Sequence, residues 1–210
     1  YWYSITPGEG LLNTAAMNLA TGEEWGPQQI DSLDKEQADF TTYMLPIGTN
    51  MLILWERRWQ VPVQEGNNRR RSEIVYQVLS HDGSELTTPA SFHPPVSPDN
   101  LDVHRDDYYS GDPITDRDGR VWIGYSNVYD AGEGRDETYY YVVLDEDGFV
   151  WKGPIQTQSM RRTAFADPDG YVWMTEGGRL YLSGPDGNIA KETKDGLVPT
   201  QRFGDIAVAE

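Results

Sequence analysis

Three copies of one seven-residue pattern constrain this chain more than any other feature. Asp-x-Asp-Gly-x-Val-Trp occurs at residues 116–122, 145–151 and 167–173. Asp-Gly supplies the positive-φ backbone that tight hairpins need, and the apolar run that follows it favours a β-strand. A turn-plus-strand unit used three times predicts an internally repeated all-β fold.

Three segments share one order of elements, at about residues 40–90, 111–156 and 162–195. The order is strand, turn, Trp-bearing strand, loop, aromatic strand, Asp-Gly turn and short outer strand. Four-stranded antiparallel meanders repeated at uneven spacing are typical of β-propeller blades. We therefore predict a single β-propeller domain over residues 1–210, with blades at about residues 1–30 plus 202–210, 40–90, 111–156 and 162–195.

Ring closure is part of this prediction. The first segment resembles strands two to four of a blade, and residues 203–210 resemble strand one. A C-terminal strand that completes the N-terminal blade would remove two exposed sheet edges. Two alternatives stay open: a fragment of a larger propeller, and a β-sandwich or other β fold. The pattern also predicts a short helix within residues 28–40 and an irregular connection at residues 92–110.

Composition narrows the functional classes. The 210 residues carry a formal net charge of -17 and include no Cys. The missing Cys excludes thiol catalysis, a Cys-based zinc site and a disulfide scaffold. An acidic chain repels phosphate backbones, so nucleic acid is not an expected partner. No apolar run reaches the ~20 residues of a membrane span, so membrane insertion is not expected. The acidity suits either a high-salt environment or ordinary acidic loops.

Residues 74–86 and 139–148 look like the outer hairpins of bacterial sialidase-like (BNR-type) extracellular propellers, and residues 116–122 are similar to the inner turn of the same repeats. The resemblance implies a propeller architecture and an extracellular or surface-exposed location, in a secreted protein, a cell envelope or a virion. The Asp-box of that family has Asp two residues before Gly, where this chain has Arg117 and Pro168. The family's opening motif is also missing, so no catalytic residue is carried over.

In a propeller, the residues that enter the innermost strand of each blade surround the central channel on one face. This rule points to candidate ligand-binding residues that mix carboxylates with guanidiniums: Asp106, Asp107, Asp112, Arg161, Arg162 and Arg202. The mixture suits a sugar or a uronate, because Arg binds a carboxylate in bidentate fashion. The competing interpretation is a set of salt bridges between blades and a solvated rim.

The densest cluster of reactive side chains lies at residues 104–109. If the chain is an enzyme, His104 with Tyr108 or Tyr109 resembles the acid–base pairs of propeller polysaccharide lyases, and Arg161 would neutralise a uronate. A glycoside hydrolase at the same mouth is the related alternative. We expect no cofactor. The Asp pairs of the three turns suit turn formation better than they suit Ca²⁺, which needs more oxygen ligands.

Two further sets of residues are candidates for contacts. The basic run at residues 69–71 is predicted to lie on an exposed loop, and Arg57 and Arg58 could extend it. The run either docks an acidic neighbour, such as another copy of the chain, or is solvated. Four tryptophans at repeat positions are expected to fill the space between blades: Trp55, Trp122, Trp151 and Trp173. Three others are candidates for sugar stacking or a partner contact: Trp2, Trp25 and Trp59.

These observations favour a non-enzymatic binding or structural module of an extracellular, cell-surface or virion assembly, recognising a glycan or a protein partner. The main reason is that no motif reaches the specificity of a catalytic signature. The alternative is a carbohydrate-active propeller enzyme, either a polysaccharide lyase or a glycoside hydrolase, working at the channel mouth. A homo-oligomer is a further expectation.

Overall fold

The computed structural model describes residues 2–8, 11–17, 20–32, 39–62, 68–92, 104–109, 112–130, 135–157, 161–176, 179–184 and 186–192. Within these ranges the secondary structure consists of sixteen β-strands without a helix. The prediction of an all-β chain is therefore confirmed.

The strands form four antiparallel sheets. The first sheet contains β1 (Trp2–Gly8), β2 (Leu11–Met17) and β3 (Glu24–Ser32). The second contains β4 (Asp39–Ile47), β5 (Asn50–Pro62), β6 (Asn68–Leu79) and β7 (Ala90–Ser91). The third contains β8 (His104–Tyr109), β9 (Ile114–Thr115), β10 (Val121–Asp130), β11 (Arg135–Leu144) and β12 (Val150–Thr157). The fourth contains β13 (Arg161–Ala166), β14 (Val172–Glu176), β15 (Arg179–Ser183) and β16 (Ile189–Glu192).

Each sheet is a meander in which strands pair with their neighbours along the chain, and β8 and β9 together form the first edge of the third sheet. The first strands of successive sheets contact one another in chain order, β1 with β4, β4 with β9, and β9 with β13. Between the second and third sheets, Thr115 Oγ1 donates to the carbonyl of Pro46 at 2.7 Å, and Gly48 N donates to the carbonyl of Gly119 at 3.1 Å. The described residues show four consecutive sheets but no closed ring.

Alternation along the strands places a separate apolar core between each pair of neighbouring sheets. On β5, Ile53 and Trp55 pack with Leu12 of the first sheet, whereas Leu52 and Leu54 face the third sheet. The core between the third and fourth sheets contains Trp122, Tyr141, Val143, Val172 and Met174. Because β5 and β10 are covered on both faces, their apolar residues run consecutively rather than in alternation.

Four stacked aromatic rings connect the second sheet to the third. Tyr76 and Phe92 have ring centroids 4.9 Å apart, Phe92 and Tyr125 are 5.3 Å apart, and Tyr125 and Tyr140 are 5.4 Å apart. Stacked pairs of this kind add on the order of 1 kcal/mol each beyond the area that they bury. The stack extends the core between these two sheets beyond its aliphatic part.

Neighbouring sheets are also joined where a side chain of one sheet covers a turn glycine of the next. Trp25 lies over Gly83, so closely that a Cβ at this glycine would overlap the indole ring. Trp151 lies over Gly187 in the same way, with Cζ3 2.7 Å from the position that a Cβ would take. Both glycines sit in turns at positive φ, so each position needs glycine for its backbone and for the ring above it.

The first sheet matches the last three strands of the third. Gly26 in β3 and Gly153 in β12 both precede Pro, both have φ near +90°, and both sit in a bulge against the preceding strand. In each case a Cβ would come within 2.7 Å of a carbonyl of that preceding strand. The three described strands of the first sheet therefore correspond to β10, β11 and β12.

Two predicted elements were wrong. Residues 28–32 continue β3 and residues 39–40 begin β4, so the described part of the predicted helical window is strand. Pairing with β2 and packing of Ile30 on the core outweigh the weak local helix pattern. Residues 104–109, predicted as part of an irregular connection, form β8, because β10 extends far enough to pair with them. The third sheet therefore begins before residue 111.

Candidate functional site

The predicted mouth residues lie on the first strands of two sheets. The third sheet holds five of them on β8, whose residues pair with residues 125–130 of β10: His104, Asp106, Asp107, Tyr108 and Tyr109. The side chains of these five residues lie outside the described part of the chain.

The remaining predicted mouth residues are on the neighbouring sheet or beyond the described ranges. Arg161 and Arg162 begin β13, and the backbone of Arg161 lies opposite that of Glu176 on β14. Arg202 lies outside the described residues. Whether these groups form one ligand site stays a prediction.

Asp112 is the one predicted mouth residue whose side chain is described, and it joins two sheets. Its exposed carboxylate accepts a hydrogen bond from the hydroxyl of Tyr43 on β4. Burial raises the pKa of Tyr43, and the charge and hydrogen bond of Asp112 raise it further, because a phenolate would face a carboxylate. This contact matches the interpretation in which mouth residues tie neighbouring sheets together.

We expect the Tyr43–Asp112 contact to appear in a tyrosinate absorbance titration. Tyr43→Phe should remove a group that ionises at higher pH than free tyrosine, and Asp112→Asn should lower the pKa of Tyr43. Since the folded pKa lies above the unfolded value of about 10, the contribution of Tyr43 to stability is complete below pH ~10 and is lost as the pH rises further. A titration curve unchanged by Asp112→Asn would contradict the contact.

The repeated Asp-Gly turns use their first carboxylate internally. Asp116 Oδ1 accepts the backbone N–H groups of Asp118 and Arg120, and its Oδ2 accepts Arg120 Nε at 2.9 Å and Trp122 Nε1 at 2.8 Å. Asp167 repeats this arrangement with Trp173 Nε1 at 3.3 Å. These carboxylates hold their own turns and the following tryptophan.

The third copy of the pattern differs. Asp145 accepts the backbone N–H groups of Asp147 and Phe149, but its tryptophan, Trp151, is 40% exposed and stacks against Arg120, whose Cζ is 4.4 Å from the ring centroid. The reason is position: the other two copies join the first and second strands of a sheet, whereas residues 145–149 join β11 to the outer strand β12. No group of three or more His, Asp or Glu suited to a metal ion occurs in the described part of the chain.

The predicted basic run is not a simple loop. Arg69, Arg70 and Arg71 belong to β6, paired with residues 59–61 of β5. Arg57 and Arg58, which were predicted to extend the run, are in ion pairs with nearby carboxylates. Arg57 bonds Glu73 at 2.5 Å and Asp31 of the first sheet at 3.5 Å, while Arg58 bonds the buried Glu56 at 2.5 Å. Arg57 and Arg58 lie opposite Glu73 and Ser72 of β6, and whether they extend the basic run stays a prediction.

The tryptophans divide differently from the prediction. Trp55 and Trp122 are fully buried and Trp173 is partly buried, as their repeat positions predict. Trp151 fills this role only in part, because its ring lies against Gly187 of the fourth sheet but is 40% exposed. Trp25, a predicted surface residue, is partly buried against the core between the first and second sheets. The side chains of Trp2 and Trp59 lie outside the described residues.

The described residues expose four large apolar side chains, which we call the rim patch: Leu86 (52%), Phe149 (65%), Val150 (44%) and Trp151 (40%). Three of them are consecutive at the start of β12. Leu86 lies in the connection between β6 and β7, and the next residue, Thr87, faces the turn that precedes Phe149, with its Cγ2 3.9 Å from the Cβ position of Gly148. Large apolar side chains exposed one after another along the chain are typical of interaction sites.

Sequence reasoning missed the rim patch, although a signal was present. Phe149, Val150 and Trp151 form an unbroken apolar run, whereas an edge strand with one solvated face should alternate. Residues 145–151 also follow an aromatic strand, which is the third strand of the repeat, so they lead into the outer strand. Because residues 145–151 carry the same motif as residues 116–122, their different position in the sheet was not recognised.

No protein-family model matches the chain, and no curated protein matches it significantly. No helix long and apolar enough to cross a membrane occurs among the described residues.

Proposed function

We propose that the chain is a non-enzymatic binding module of an extracellular, cell-surface or virion assembly, and that it docks its partner through the rim patch. The observation that carries the proposal is the exposure of Phe149, Val150 and Trp151 together on an outer strand. Among the strand residues whose side chains are described, the other large apolar ones are buried or partly buried. Burying an exposed Phe contributes about 2 kcal/mol, which favours association with a partner.

For the fold, we propose a four-bladed propeller in which residues 202–210 form the innermost strand of the first blade. Two observations support it. The first sheet corresponds to the last three strands of the third sheet, so among the described residues it has no counterpart of the strands that precede β10. The first strands of the second, third and fourth sheets also contact one another in chain order, β4 with β9 and β9 with β13, as innermost strands around a channel do.

Deleting residues 202–210 should expose the inner edge of β1 if the ring is closed in this way. We expect the β1 amides to lose hydrogen-exchange protection and the melting temperature to fall by about 5 °C or more, since each kcal/mol corresponds to about 2–4 °C at this size. The amides of β15 serve as the internal reference. Unchanged protection of β1 would favour a fragment of a larger propeller.

The binding proposal is tested with immobilised protein and two unbiased probes, an oligosaccharide array and a random dodecapeptide display library. We expect ligands of at least one class whose retention falls about tenfold in Phe149→Ser, because truncation of an apolar anchor costs on the order of 1–2 kcal/mol. Gln156→Ser, an exposed residue further along β12, is the matched control and should retain binding.

The same protein preparation allows a direct test of the enzyme alternative. Cleavage of a uronate polymer that disappears in His104→Ala but persists in Phe149→Ser would overturn the binding proposal in favour of a lyase. A lack of any Phe149-dependent ligand in both probes would also count against it.

A further inference from the structure

We propose that the partner of the rim patch is a protein segment that combines apolar with cationic residues. This inference rests on the proposed function and assigns the chemistry of its ligand. Three features support it: the acidic residues around the patch, the contact of Arg120 with Trp151, and Pro154 in β12.

The apolar centre of the patch has an acidic border. Exposed Glu85 precedes Leu86, and exposed Glu146 and Asp147 lie in the turn that leads to Phe149. All three are exposed, although Glu85 Oε1 also accepts a hydrogen bond from Gln28 Nε2 at 3.1 Å, and they flank the surface that a partner would cover. Complementary potentials across an interface steer association and exclude like-charged partners.

Two cations among the described residues lie at the patch, and both have partners. Arg120 Nε bonds Asp116 at 2.9 Å and its Nη2 bonds Asp118 at 2.8 Å. Lys152 Nζ donates to Asn188 Oδ1 at 2.6 Å and to the carbonyl of Asp186 at 3.3 Å. Arg120 is neutralised by two carboxylates, whereas Lys152 keeps its charge because both of its acceptors are neutral. Among the described residues around the patch, the three exposed carboxylates outnumber this one cation, so a partner that supplies positive charge is favoured.

A second copy of this chain fits the patch poorly. Each copy carries a formal net charge of -17, and a symmetric contact through the patch would bring the same acidic border against itself. Like charges facing each other across an interface are unfavourable. A basic partner gains from the same field.

The patch is also a poor platform for a sugar. The guanidinium of Arg120 covers one face of Trp151, and the turn at Gly187 lies against the edge of the ring. Leu86 and Val150 are aliphatic and offer no flat face for stacking. The patch therefore favours an irregular apolar surface of a protein over a pyranose ring.

Strand addition to β12 is blocked by its own sequence. Pro154 lacks an N–H, and the register against β11 shifts on both sides of Val143. Proline and bulges are the devices that protect sheet edges from pairing with another chain. The partner segment therefore contacts the patch through side chains rather than by extending the sheet.

The test is selection from a random dodecapeptide display library on the full chain, with counter-selection on a Leu86→Ser/Phe149→Ser variant. We expect the enriched peptides to carry net positive charge together with Leu, Phe or Trp, and to lose about tenfold in recovery on the variant. A second variant, Glu146→Gln/Asp147→Asn, leaves the apolar side chains in place. It should weaken synthetic copies of the enriched peptides several-fold at low salt and less at high salt.

Each outcome decides between the two proposals. Patch-dependent peptides that are neutral or acidic would leave the binding function standing and overturn the cationic assignment. Patch-dependent signals on the oligosaccharide array alone would do the same in favour of a glycan. Peptides that bind the Leu86→Ser/Phe149→Ser variant as well as the parent would overturn both, since acidic surface alone would then explain the attraction.

Discussion

Asp116→Asn is expected to destabilise the protein by about 3 kcal/mol, which corresponds to a fall in melting temperature of about 6–12 °C. The Asp116 side chain is fully buried and Arg120 is 11% exposed. An Asn amide has one oxygen, so it can accept either the backbone N–H groups or the two side-chain donors, and its NH₂ then faces the other set. Arg120 keeps Asp118 as a partner, which limits the loss. Urea unfolding followed by tryptophan fluorescence measures the change.

Asp145→Asn is the matched control for this prediction. Asp145 accepts the same two backbone N–H groups from its own turn, and its tryptophan points elsewhere. Its Asn variant keeps one oxygen for both bonds, so the loss should stay within about 1 kcal/mol. Equal losses at the two positions would show that the buried bonds to Arg120 and Trp122 contribute nothing beyond the turn.

Gly83→Ala is expected to cost about 3 kcal/mol or more. An added Cβ would overlap the indole of Trp25, and the ring cannot move away freely because it packs on the core that contains Leu12, Ile53 and Trp55. Overpacking of this kind costs about 1–3 kcal/mol, in addition to about 1 kcal/mol for a non-glycine residue at positive φ. Thermal unfolding followed by circular dichroism gives the comparison.

Gly22→Ala separates the two costs. Gly22 has φ +73°, yet nothing lies within 4 Å of its Cβ position, so the expected loss is about 1 kcal/mol from backbone strain alone. In a Trp25→Ala background, Gly83→Ala should fall to the same cost as Gly22→Ala, which a double-mutant cycle measures. If Gly83→Ala is as mild as Gly22→Ala in the parent protein, Trp25 does not cover the turn.

Buried and exposed aromatic residues should respond differently to substitution. Trp25 and Trp122 are held by the fold, so their removal should change stability. Phe149 is exposed, and Phe149→Ser should change binding while leaving the melting temperature nearly unaltered, since exposed substitutions are usually within about 0.5 kcal/mol. A substitution that lowers binding but leaves the melting temperature unchanged indicates that the residue contacts a partner and does not support the fold.

Much of the architecture could be predicted because it is local. An Asp-Gly pair dictates a positive-φ turn, and Gly119, Gly148, Gly170 and Gly187 all have φ between +72° and +86°. The apolar run after each turn dictates a strand with bulky residues. The meander order follows from short connections. The predicted helix at residues 28–40 failed because its local pattern was weak and strand pairing outweighed it.

The candidate site was harder to predict, because burial depends on which strand a motif enters. Residues 116–122 and 145–151 are nearly the same in sequence, yet Trp122 is buried between two sheets and Trp151 is exposed. The first motif leads into β10, which has neighbours on both sides, and the second leads into the edge strand β12. A repeat motif specifies its own turn but not what lies opposite the next strand.

The sequence by itself determined the turns, the strands and the repeated order of the sheets, because backbone preferences and strand periodicity act over a few residues. The tertiary structure alone decided which carboxylates are used up inside the protein and which aromatic rings reach solvent. Those outcomes depend on contacts between residues distant along the chain, such as Trp25 with Gly83 and Trp151 with Gly187. The rim patch lies where the edge strand β12 begins, whereas Trp25, on the edge strand β3, is partly buried against the second sheet.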